Sequence, residues 1–118
     1  MTNEEIKEVL VSSGVSAAEI EKIQGKFNLE KITEIVEAAS SPDEAFSSLH
    51  KFYPELEIEK LHEECNFVVD QIQISHRKAA SWRGVIFGVT VDFCASSCAG
   101  GIPLGGFALN SLITCNAA

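Results

Sequence analysis

The sequence predicts an all-α protein, a small N-terminal helical bundle followed by a flexible, apolar, Gly- and Cys-rich C-terminal segment. Through the first two thirds of the chain, apolar residues recur at helical rather than alternating spacing. Capping and breaking residues punctuate them at short intervals. Charge then stops: residues 1–83 contain all nine Lys and Arg and sixteen of the seventeen Asp and Glu, whereas residues 84–118 carry only Asp92. A chain of 118 residues has room for one small domain and a peptide segment. We therefore divide it into an acidic helical carrier, 1–78, and a C-terminal segment, 79–118.

Ile6, Val9 and Leu10 mark the first helix, which Gly14 stops. Ser16 caps the next, with Glu19 three residues on to complete a capping box, and Gly25 is expected to end it near Gln24. Phe27 and Leu29 lead into a third helix carrying Ile32, Ile35 and Val36, and Ser40-Ser41-Pro42-Asp43 is a break and restart. Ala45, Phe46 and Leu49 define a short fourth helix closed by Tyr53-Pro54; Leu56 to Ile72 suggests the longest of the set. Short helices are marginal alone, so residues 1 to about 75 should form a four- or five-helix bundle held by apolar faces.

Ser75 to Arg83 is the one locally basic stretch and lies at the junction. It reads either as a helix C-terminus whose cations complement the dipole or as a recognition and cleavage region around Lys78, Ala79, Ala80 and Ser81. Beyond it, Val85 to Val91 is apolar and largely β-branched, and Gly100-Gly101, Pro103 and Gly105-Gly106 are expected to interrupt any regular element. The uncharged run from Phe93 to Cys115 is long enough to cross a bilayer, but its Ser, Asn and Gly make a poor spanning helix.

Several function classes fall away. A net charge of −8 without a basic stripe excludes nucleic acid as the expected partner. His50, His62 and His76 are scattered, and His62-Glu63-Glu64-Cys65 lacks the second His that a zinc protease helix requires. No enzyme activity, catalytic residue or cofactor is expected. Cys94 and Cys98 are near one another, but the paired two-residue spacings of a metal cluster are missing, so no metal site is expected. The start, Met1-Thr2-Asn3-Glu4-Glu5, lacks a positive region followed by an apolar core, and no general secretory signal is expected there.

The chemistry concentrates in the cysteines. Cys65 lies on a helical apolar stripe and reads as a small buried hydrophobe. Cys94, Cys98 and Cys115 occupy a segment where a crosslink would supply restriction that packing does not. Two chemistries remain open. One is a disulfide, most naturally from Cys115 to Cys94 or Cys98, which leaves an odd thiol. The other is a thioether, in which an enzymatically dehydrated Ser or Thr becomes the electrophile for a cysteine thiolate. Thr90 precedes Cys94 by four residues and Ser111 precedes Cys115 by four; Ser96, Ser97 and Thr114 are further candidates.

This layout, an acidic helical leader and then a Cys/Ser/Thr/Gly core, resembles precursors of ribosomally synthesised, post-translationally modified peptides, of the bacteriocin and lanthipeptide kind. Phe93 to Gly101 followed by apolar residues and Cys115 also looks like Cys- and Gly-rich bacteriocins that act on membranes. The resemblance implies a leader that recruits a peptide-modifying enzyme, a core that is crosslinked, and export and protease machinery that removes the leader. It also implies a cytoplasmic precursor and a secreted antimicrobial or signalling peptide whose target is a membrane. The alternative is a small helical interaction protein whose apolar C-terminal hairpin binds a partner or membrane. As a precursor, the chain should have a helical part that folds unchanged without residues 84–118.

Overall fold

The computed structural model describes residues 2–74, 82–98 and 100–115. Seven helices cover the described residues: α1 Asn3–Ser12, α2 Ala17–Lys26, α3 Leu29–Ala38, α4 Pro42–Phe52, α5 Ile58–Ile74, α6 Trp82–Ser96 and α7 Gly106–Cys115. No strand occurs among them.

Local chemistry explains the starts of the first four. Thr2, Ser16, Asn28 and Ser41 each accept a hydrogen bond from the backbone N–H three residues on, which satisfies a donor that the first helical turn leaves unpaired. The reciprocal box is complete at Thr2, where the Glu5 carboxylate also returns to the cap. At Ser16 the Glu19 carboxylate instead accepts from the hydroxyl, at 2.8 Å. Gly14 has φ +95° and makes the turn after α1. Gly25, expected to stop α2, lies inside it, and the helix continues to Lys26 because Ile23 and Phe27 keep their places in the core.

The amphipathic helices α1–α4 bury Ile6, Leu10, Ile20, Ile23, Leu29, Ile32, Val36, Phe46 and Leu49 and turn their charges outward. Polar contacts fix their ends. Asn3 and Glu30 exchange two backbone-to-side-chain hydrogen bonds of 3.2 Å between the starts of α1 and α3, and the Tyr53 hydroxyl accepts from the Asn28 N–H at 2.9 Å.

The C-terminal segment departs from its expected flexibility. Helix α6 packs against α3, α4, α5 and α7, and every residue from Gly84 to Val91 is buried. A helix that is apolar all round is stable in water only when surrounded, and here the acidic helices and α7 surround it. The glycines expected to prevent regular structure are instead gathered at the α6–α7 connection. Gly100 and Gly101 have φ +82° and +65°, and the Gly101 and Ile102 N–H groups donate back to the Cys98 and Ala95 carbonyls at 2.8 and 2.9 Å. Helix α7 returns along α6 and also touches α1. The radius of gyration, 13.0 Å, is that of a folded chain of this length.

Candidate functional site

The residues expected to carry chemistry gather on α6 and the turn after it. Thr90 and Cys94 stand four positions apart, so they share one face, and both are fully buried. The Thr90 hydroxyl donates to the Ile86 carbonyl at 2.6 Å, which satisfies it inside the core. Cys98 follows the last helical turn; its Sγ lies 3.5 Å from the Cys94 carbonyl, and its side chain is buried. Ser96 and Ser97 are exposed, and their hydroxyls donate to the Asp92 and Phe93 carbonyls at 3.0 and 2.9 Å.

Ser111 is half-buried on α7, four positions before Cys115 on the same helix. Thr114 and Cys115 belong to α7 by backbone, and their side chains lie outside what is described. The expected cleavage region, Lys78, Ala79, Ala80 and Ser81, also lies outside the described residues.

Cys65, Cys94 and Cys98 are free thiols. Burial, with the Glu64 carboxylate adding to it, pushes the Cys65 thiol up to about 12. Burial raises Cys94 further, with Cys98 and Glu55 adding to the effect and Lys26 opposing it. Since the thiolate is the nucleophile, Cys65 and Cys94 are poor nucleophiles while the helices remain packed. Cys65 has the easier approach: it lines a cleft of about 200 Å³ with Phe46, His62 and Trp82, where α4, α5 and the start of α6 meet.

Three contacts across the boundary between carrier and hairpin were not read from the sequence. Arg83, in the first turn of α6, donates from Nη2 to the Ala39 carbonyl at 2.7 Å and lies over the Trp82 ring at 4.2 Å. Its cation therefore meets the C-terminal end of α3, where helix dipoles favour positive charge. Lys26, the last residue of α2, donates from Nζ to the Ser97 carbonyl at 2.7 Å and does the same for α6. Asp92 is half-buried near Glu64 of α5, and burial first, then that carboxylate, raises its pKa above the usual aspartate value. Asp92 was visible as the one charge in an uncharged segment, but no sequence pattern indicated which residue it would face.

Among the described residues no group of three or more His, Cys, Asp or Glu side chains is arranged to hold a metal ion. None of the described helices is long and apolar enough to cross a membrane. Fold and site together define a class: an all-α protein in which acidic amphipathic helices enclose an apolar, thiol-bearing helical hairpin. No protein-family model, curated protein or solved structure matches the chain.

Proposed function

We propose that the chain is the precursor of a modified peptide, in which residues 1–78 act as leader and carrier and the segment from 79 onward is the core that is crosslinked, cleaved and exported. The observation that supports this reading most is the segregation within the fold. Nearly all charge lies in residues 1–83, and three of the four cysteines, Cys94, Cys98 and Cys115, lie on a hairpin too apolar to stay in water alone.

Such a carrier keeps the core soluble and the buried Cys94 thiol protonated until a modifying enzyme draws the hairpin out. In the thioether chemistry, a Ser or Thr hydroxyl and its Cα proton leave as water, and a cysteine S–H then adds across the new double bond, sulfur to Cβ and proton to Cα. Thr90 with Cys94 and Ser111 with Cys115 are the pairs whose four-residue spacing suits short rings; Ser96, Ser97, Thr114 and Cys98 supply the remaining candidates. In the disulfide alternative, Cys115 pairs with Cys94 or Cys98, and a thiol oxidant of the export machinery takes up the two electrons and two protons that the thiols lose. The released peptide, nearly uncharged, suits a membrane target.

Tandem mass spectrometry of the product from its native producer tests the reading. A C-terminal peptide that has lost waters and resists alkylation identifies thioethers; loss of hydrogens restored by a reducing agent identifies disulfides. An unprocessed full-length chain with free thiols would sink it.

The central position of α6 favours a second reading, a small helical interaction protein in which the hairpin is a permanent part of the core. The same measurement separates the two, since this protein stays intact and unmodified.

A further inference from the structure

We infer that residues 2–74 form a receptor for the hairpin 82–115, so that cutting the chain between them does not release the product. The inference rests on the precursor reading for its biological meaning and on the packing alone for its physical content. Helix α6 is enclosed by α3, α4 and α5 of the carrier, and α7 lies against α1. Phe87, Val89 and Val91 are fully buried, and Ile86, Leu112 and Ile113 join the same core cluster as Ile6, Leu10, Ile32 and Leu49. Among the described residues, carrier and hairpin share one core.

The polar contacts run in both directions: Lys26 of the carrier holds the end of α6, and Arg83 of the hairpin holds the end of α3. None of these contacts depends on the continuity of the chain. Cutting removes only the high effective concentration that a short connection provides, on the order of millimolar. The interface itself survives, and association becomes bimolecular.

Proteolysis and release are then separate steps. A cut precursor remains a soluble two-chain complex with the Cys65 and Cys94 thiols still covered, and the product leaves only when something competes for α6 and α7, such as an unfolding exporter or a lipid surface. The carrier consequently acts after cleavage as well as before it, as a holding partner for its own product.

A full-length chain with a site-specific protease sequence inserted between Lys78 and Ala79 tests this. Circular dichroism and the melting temperature of the uncut variant first establish that it folds, and a second insertion, after Arg77, stands in if the first does not. After complete cutting, both fragments should co-elute in gel filtration at the volume of the intact protein. The melting temperature of the cut form should rise with protein concentration, while that of the uncut form stays constant. Separation of the fragments at about 10 μM, or loss of helical signal on cutting, would overturn the inference. A native chain that is never processed would overturn the precursor reading and leave this result untouched.

Discussion

The Lys26 ammonium at the end of α2 lies 2.7 Å from the Ser97 carbonyl, seventy-one residues later in the chain, and so closes the C-terminal end of α6. The same Nζ lies 5.4 Å from the centroid of the neighbouring Phe27 ring. Lys26→Met keeps much of the apolar stem and removes the donor and the charge. Because the contact is exposed and water can replace the donor, the expected loss is about 0.5–1 kcal/mol, measured by urea denaturation.

If carrier and hairpin share one core, damage to α6 must be felt in α1–α5. Phe87 is fully buried. Phe87→Ala should cost about 3–5 kcal/mol, a large part of the roughly 5–15 kcal/mol that holds a domain together. The loss should appear as a single shifted transition by both circular dichroism and fluorescence of Trp82. Two transitions, with the carrier's unchanged, would instead show an independently folding leader of the kind the sequence suggests.

Gly88 lies where α6 and α7 pack closely: a Cβ there would lie 2.7 Å from Ile113 Cγ1 and 3.4 Å from Leu109 Cδ1. Gly88→Leu must push the hairpin apart, and the expected destabilisation is about 1–3 kcal/mol despite the better helix propensity of Leu. Gly25 supplies the control, because a Cβ there meets nothing within 4 Å. Gly25→Ala, within α2, should stabilise the protein by about 0.5–1 kcal/mol in the same assay.

The contrast between these glycines shows what the sequence could convey. The first four helices were legible because each begins at a side chain that caps its own backbone and repeats an apolar stripe, both of which are local signals; α5 was legible from its stripe. Helix α6 carries neither: it has no charged face to define a stripe, and its β-branched residues have low intrinsic helix propensity. It is helical because its surroundings bury it, a tertiary effect that no window of sequence contains. Gly25 was misread for the converse reason, since a helix end was expected wherever a breaker occurred, while Ile23 and Phe27 hold the last turn of α2 together. The candidate cysteines were visible by type and spacing; the burial of Cys94 and Cys98 followed from the unrecognised helix.

Asp92 places a carboxyl near Glu64 in a half-buried setting, and its pKa is raised in the folded state. The folded form therefore holds the proton more tightly than the unfolded chain, and stability falls as pH rises from the ordinary value of 3.8 through the folded-state value. At neutral pH the burial of the ionised Asp92, and then its repulsion by Glu64, opposes folding. Asp92→Asn should raise the melting temperature at pH 7, and the difference between variant and parent should shrink as the pH is lowered through that window. An unchanged melting temperature at pH 7 would show that neither burial nor Glu64 penalises the Asp92 carboxylate in the fold.

The thiols give the opposite end of the pH scale. Cys65, raised to about 12, and Cys94, raised further, remain protonated in the folded protein. In the unfolded chain a thiol loses its proton near pH 8.5. Again the folded state binds the proton more tightly, so these two groups contribute stability that is intact below that pH and declines as pH rises above it. Alkaline unfolding should start there, and a Cys65→Ala, Cys94→Ala double variant should show a shallower decline despite its lower stability at neutral pH. Reactivity should follow access. At pH 8 and below the denaturation midpoint, iodoacetamide should modify Cys65, which lines the cleft beside Trp82, before Cys94, which is fully buried. Peptide mapping over time reads the order, and modification of Cys94 at the rate of an unfolded thiol would mean that α6 is not held within the carrier.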